Sequence, residues 1–174
     1  MAAPIEVRAA GADDLPEVVR LAELMYTSLG VRHPEGVWAG WRRVALEALR
    51  GDLGPDLTVV VVDHPGATPA RDGAGAARLV ACGAATIGTR LPNPLLEDRR
   101  VGYVQWMSTE PEFRRRGLAR AVLAALLRWY EERGVHDVEL HASTAGAPLY
   151  RTMGFWEGST GVALRRRPWD PPPP

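Results

Sequence analysis

The residues best placed to do chemistry are the run Pro111-Glu112-Phe113-Arg114-Arg115-Arg116-Gly117-Leu118-Ala119. Three adjacent guanidinium groups precede a glycine and the start of an amphipathic helical pattern. The opening N–H groups of a helix have no acceptor within it and carry the positive end of its dipole. A phosphate there accepts several main-chain hydrogen bonds at once. Gly117 removes the Cβ that would keep an anion at a distance, and arginine forks match phosphate oxygens. The run predicts an anion cradle for a phosphorylated ligand. A solvated basic turn ahead of a surface helix is the other reading it allows. A nucleotide P-loop and a dinucleotide fingerprint are both disfavoured, because G-x-x-x-x-G-K-[ST] and G-x-G-x-x-G are absent.

The elements around the run must hold it in place. Residues 102–109 alternate as a strand, with Tyr103, Gln105 and Met107 on one face and Val104, Trp106 and Ser108 on the other if the strand is regular. Residues 117–133 form a helix with Leu118, Val122, Ala125, Leu126 and Trp129 on its apolar face. Residues 135–142 return as a strand and residues 145–153 form a short helix. Upstream, residues 5–9 read as a first strand. A helix follows over residues 14–28, with Asp13 or Asp14 as its N-cap and Pro16 in its first turn. A second helix spans residues 34–49 and stops at Gly51, with Trp38, Trp41, Ala45 and Leu49 on one stripe. The β-branched run at residues 57–62 predicts a strand buried on both faces. Residues 63–76, rich in Pro, Gly and Ala, read as a loop before a strand at residues 78–88. Two short strands are expected within residues 155–164. The alternation of strands and helices on one core predicts an α+β (mixed α/β) class, with a parallel pair flanking the helix after Gly117.

Bulk composition narrows the function. With 174 residues, 46% hydrophobic and 24% charged, the chain can bury a core of its own. We expect a single domain over residues 1–167 and a Pro-rich tail over residues 168–174. Net charge is zero, which argues against a broad nucleic-acid footprint. The lone cysteine, Cys82, allows no internal disulfide, and His33, His64, His136 and His141 have no short metal-ligand spacing, so no metal is expected. No secretory leader and no apolar run near the ~20 residues of a membrane span are present, so the expectation is a cytoplasmic protein with no membrane partner.

In this setting the motifs resemble the GNAT superfamily of N-acetyltransferases. Arg114-Arg115-Arg116-Gly117-Leu118-Ala119 matches the family's [QR]-x-x-G-x-[GA] pyrophosphate motif. Leu149-Tyr150-Arg151-Thr152-Met153-Gly154-Phe155 matches its Leu-Tyr-x-x-x-Gly-Phe closing motif. The resemblance covers residues 103–155 and implies a central mixed, mostly antiparallel twisted sheet of about six or seven strands with a splayed parallel pair, flanked by about four helices. It implies acetyl-CoA as cosubstrate, with its pyrophosphate held by Arg114, Arg115, Arg116, Gly117, Leu118, Ala119 and Arg120. At least one of the three arginines is expected to be solvated or paired with an acid such as Glu112. Pantetheine would run along Met107, Ser108 and Thr109 at a bulge, and Met107 would offer an N–H to the oxyanion. Tyr150, on its own more often a packing residue, becomes the general acid, protonated at neutral pH because tyrosine titrates at about 10. Ser143 stands where many members carry Asn, and its hydroxyl is expected to contact the cofactor with fewer donors. The base stays open: Tyr103 and Gln105 are poor bases, Glu110 lies beyond the strand where it can stabilise the turn instead, and His141 is a candidate or a structural histidine. The implied reaction is direct acetyl transfer from acetyl-CoA to a primary amine of a small molecule or protein. A catalytically silent CoA-binding module is the alternative. A homodimer is the weak family expectation. Tyr26, Trp38 and Trp41 would wall the acceptor side, or fill the core, the expectation for two of the three.

Overall fold

The computed structural model describes residues 4–66, 79–91 and 99–157. Five strands form one sheet in the order β1-β2-β3-β4-β5. They are β1 (Arg8–Ala9), β2 (Leu57–Asp63), β3 (Leu79–Thr89), β4 (Arg100–Thr109) and β5 (Asp137–Leu140). Neighbours are antiparallel except β4 and β5, which are parallel. The helices are α1 (Leu15–Ser28), α2 (Glu35–Asp52), α3 (Leu118–Glu131) and α4 (Ala147–Thr152). The mixed α+β class and the parallel pair are as expected. The sheet has five strands among the described residues rather than six or seven. The strands expected after Phe155 fall, from residue 158 on, outside those residues, as do the tail and most of the 63–76 loop.

The sheet separates two cores. On one face, Val60, Val62, Val80 and Val104 pack beneath Leu118, Val122, Leu126 and Tyr130 of α3. On the other, Val59, Val61, Leu79 and Cys82 pack beneath Leu15 and Val18 of α1 and Leu49 of α2. Successive valines of β2 thus enter opposite cores, which is why its apolar run is unbroken. Each such side chain contributes about 1.5–3 kcal/mol on burial.

Tertiary contacts modify the local expectations. Asp14 does not cap α1 with its side chain. Its carboxylate accepts from Arg8 Nη1 at 2.6 Å and Nη2 at 2.9 Å, and from the Gly11 N–H at 2.8 Å. A bidentate pair with a guanidinium outcompetes a single bond to a backbone N–H. Arg8 also donates to Asp63 at 2.7 and 2.8 Å, so one guanidinium joins β1, β2 and the start of α1. The expected α3 face of Leu118, Val122, Ala125, Leu126 and Trp129 packs on the sheet, and Leu123 and Tyr130 are buried with it. Tyr130 lies flat against Gly102, where an added Cβ would meet its ring at 2.5 Å. Its hydroxyl donates to the Thr86 carbonyl at 3.1 Å. Trp129 is half-buried at the edge of that core and carries the Arg133 guanidinium 4.3 Å above its ring. Finally, β1 is shorter than residues 5–9 and α2 runs past Gly51 to Asp52.

Candidate functional site

The site begins with an irregularity in β4. Cys82 pairs with Ser108 and Ala84 with Gln105, so Gly83 alone faces both Trp106 and Met107. This two-against-one pairing is a β-bulge. Trp106 reaches it with φ of 54°, in the left-handed region that non-glycine residues rarely enter. The bulge resets the alternation. Trp106 joins the α1–α2 core, whereas Met107 packs with Val104 in the α3 core, opposite to the assignment for a regular strand. Gly83 makes room: a Cβ there would meet Val122 at 2.6 Å and Met107 Sδ at 2.7 Å.

Beyond the bulge the sheet opens. The β4–β5 ladder runs from Val101↔Asp137 to Val104↔Leu140. Past that rung no strand pairs with the outer edge of β4 among the described residues. The inner edge stays attached, with the Glu110 N–H donating to the Val80 carbonyl at 2.9 Å. Glu110 is buried, and its carboxylate lies 2.6 Å from Arg20 Nη1 of α1. It anchors the end of the strand and, through its carbonyl, accepts the Phe113 N–H at 2.9 Å in the following turn.

The cradle lies at the foot of this gap. Arg115 at φ 63° and Gly117 at φ 86° turn the chain sharply into α3. Among the described residues, the main-chain N–H groups of Arg115, Arg116, Gly117, Leu118, Ala119 and Arg120 donate to no protein acceptor. The first internal bond of the helix is Ala121 N–H to the Gly117 carbonyl at 3.0 Å. The arginine side chains do varied work. Arg114 Nε donates to the Thr109 carbonyl at 3.1 Å. Arg116 sits 5.1 Å over the Phe113 ring. Neither pairs with Glu112, because a carbonyl and a ring face are the nearer partners. Arg115 is exposed and makes no side-chain bond among the described residues. Arg120 Nη2 donates to Thr152 Oγ1 at 2.6 Å, which ties α3 to α4. Thr109 Oγ1, between gap and cradle, is buried without a hydrogen-bond partner. Every helix start leaves such N–H groups open to a ligand or water, whereas a buried hydroxyl without a partner is rare. They fit a pyrophosphate and its amide-bearing arm.

Tyr150 lies on the α3 side of the gap. It is half-buried, its ring is 6.0 Å from Phe155, and burial raises its hydroxyl above the ordinary tyrosine value. The hydroxyl makes no hydrogen bond among the described residues. Ser143 shapes the turn into α4 by accepting the Gly146 N–H at 3.1 Å on Oγ. A Cβ on Gly146 would sit 3.2 Å from both Ser143 Oγ and the Tyr150 ring, so that turn sets the tyrosine's position.

The opposite face of the gap is aromatic. Trp106 Nε1 donates to the Tyr26 hydroxyl at 3.3 Å. Tyr26 and Trp106 each meet Trp41 edge-to-face, at 5.7 and 6.0 Å, and Trp38 meets it at 5.6 Å. Trp38 is buried and Trp41, half-buried, packs against the α1–α2 core, as expected for two of the three rings; Tyr26 is half-buried. Trp106 was not singled out as a wall residue, because only the bulge turns it to this side. On the same face, Tyr103 Oη lies 2.7 Å from His141 Nδ1. Cys82 is a packed residue, fully buried, with its thiol pushed up to about 12 by desolvation.

The model of the acetyltransferase (GNAT) family matches residues 40–155. The chain belongs to this family. Curated relatives include N-acetyltransferase Eis of Mycobacterium tuberculosis and of Mycobacterium bovis, each 30% identical over 129 residues. That alignment takes in 72% of this chain and 32% of the relative, so the chain spans about a third of those proteins. A predicted acetyltransferase from Clostridium acetobutylicum, solved with acetyl-CoA, superposes with a TM-score of 0.74 at 22% identity, over 93% of this chain and 96% of that one. The aminoglycoside N-acetyltransferase AAC(6')-Iy, solved with a CoA-linked bisubstrate analogue, gives 0.66 at 19% identity, over 95% and 99%. These likenesses establish the fold.

Proposed function

We propose that this chain transfers an acetyl group from acetyl-CoA to a primary amine by direct attack on the thioester. The observation that carries the reading is the run of unpartnered N–H groups at residues 115–120, opening beside the free edge of β4. In this reading the pyrophosphate rests on those amides. Pantetheine pairs with the edge at Met107, Ser108 and Thr109 as an added strand would, and Thr109 Oγ1 gains a partner. Arg115 is the guanidinium available for phosphate, while Arg114, Arg116 and Arg120 support the loop and α4. The amine attacks the thioester carbonyl, the Met107 N–H receives the oxyanion, and Tyr150 protonates the departing thiolate. Ser143 acts by placing Tyr150. No acyl-enzyme is needed, and Cys82 is too buried to form one.

The aromatic wall favours acceptors with an apolar or ring-bearing body beside the amine, since rings bind such groups and cations on their faces. A cytoplasmic location accompanies this reading. Calorimetric titration with acetyl-CoA, followed by thiol release across an amine panel, tests it. Binding plus amine-dependent thiol release is the expected result. Absence of binding refutes the reading, and binding without turnover of any amine leaves a silent CoA-binding module in its place.

A further inference from the structure

We infer that His141, held by Tyr103, is the general base that takes the proton from the attacking amine. The inference rests on the acetyl-transfer reading above and supplies the base it lacks. His141 is the first residue after β5, one position past the last rung between β4 and β5 at Val104↔Leu140. Val138 and Leu140 pack into the α3 core with Tyr150, so strand alternation sends Glu139 and His141 to the opposite face. Tyr103 lies between Gly102 and Val104, both turned toward α3, and so shares the His141 face. Tyr150 and His141 thus lie toward opposite faces of the sheet, and in the acetyl-transfer reading the thioester runs between them.

The other ionisable groups around this gap are already engaged. Glu110 is ion-paired with Arg20. Glu139, the nearest carboxylate on the strand of His141, takes both forks of Arg90 at 2.5 and 2.6 Å. Asp137 lies at the far end of β5, Gln105 cannot accept a proton at neutral pH, and Cys82 is sealed. Across on β4, Tyr103 is the titratable group facing the imidazole, and on β3 its partner is the uncharged Thr86. His141 itself is exposed, so an acceptor can reach it.

The role uses one of the two tautomers that this hydrogen bond accommodates. In the proposed scheme Nδ1 carries the proton and donates to Tyr103 Oη, which leaves the Nε2 lone pair for the amine. The same bond persists once the ring is cationic. As the amine nitrogen bonds to the carbonyl carbon, the carbonyl pair moves to oxygen and the nitrogen's proton moves to Nε2. The C–S bond then breaks, the carbonyl reforms, and the Tyr150 proton goes to sulfur. Solvent returns a proton to Tyr150 and removes one from His141, so the sum is amide plus free thiol. Tyr103 is a positioning residue in this scheme.

The test compares wild type, His141→Gln and Tyr103→Phe with the best amine of the panel, reading kcat/KM from pH 5 to 9. The ratio of wild-type to His141→Gln rates cancels titration of the amine itself. The expected ratio rises from low to high pH and reaches on the order of 10²-fold at pH 8. Tyr103→Phe lowers the rate less and moves the midpoint of that rise. Acetyl-CoA affinity and melting temperature stay unchanged in both, and imidazole restores part of the rate to a His141→Ala variant. A ratio that stays flat across the pH range, with acetyl-CoA still bound, overturns the inference. Failure of the wild type to bind acetyl-CoA sinks the acetyl-transfer reading instead, so the two failures are distinguishable.

Discussion

At the residue scale, one hydroxyl and one backbone angle matter most. Tyr150 is half-buried with nothing but desolvation acting on its proton, so it holds that proton more tightly than a free tyrosine. Tyr150→Phe should lower kcat by about 10²-fold or more while leaving acetyl-CoA affinity within twofold, read by steady-state kinetics and calorimetry. Because the group is raised, the high-pH loss of wild-type kcat should have its midpoint above the ordinary tyrosine value of 10.0. At Gly117, φ of 86° is the constraint, since a Cβ would meet only Ile5, at an ordinary 3.5 Å. Gly117→Ala should therefore cost about 1–2 kcal/mol of stability through backbone strain and should weaken acetyl-CoA binding. Equal melting temperatures and equal affinities would show that the turn does not need its left-handed residue.

At the element scale, the bulge in β4 is the feature from which the site follows. It directs Trp106 to the α1–α2 side, brings Met107 under α3 and marks where the outer edge of β4 becomes free. It depends on Gly83, which faces it across the ladder. Gly83→Ala would press a methyl group on Val122 and Met107, and overpacking of this kind costs about 1–3 kcal/mol. The expected signature is a lower melting temperature together with a higher KM for acetyl-CoA. An unchanged KM would separate the bulge from pantetheine binding. The cradle and the two family motifs were legible in the sequence because they are local: a glycine at a positive φ and a helix start need only their neighbours. The bulge was expected only through the family resemblance. Its consequence for Trp106 was missed, because strand alternation presumes a regular ladder.

At the scale of the whole molecule, buried protons set the alkaline limit of stability. Cys82 is raised from 9.0 to about 12, and Tyr130, buried against Gly102 and bonded to Thr86, is raised well above 10.0. Both are held protonated by the fold while the unfolded chain releases them. Stability is therefore full below about pH 9 and falls as pH rises through the folded values. Denaturant titrations at pH 8 and 11 should differ by on the order of 2 kcal/mol, and Cys82→Ala should flatten the decline. All 21 basic residues are arginines, so the chain offers no lysine to acetyl-CoA. Direct transfer without an acyl-enzyme then predicts that intact-mass measurement after exposure to acetyl-CoA alone shows no acetylated side chain.

The sequence by itself determined the class of fold, the cradle, the candidate acid and the family, because each rests on residue types at short fixed spacing along one element. Tertiary structure decided what depends on distant segments meeting. Arg8 drew Asp14 from its cap, Gly102 made room for Tyr130 beside the expected α3 face, and Arg20 engaged Glu110. The end of the β4–β5 ladder set Tyr103 beside His141, residues 38 positions apart. Such choices follow from which partner lies nearest in space, and one strand's periodicity carries no record of its neighbour's register.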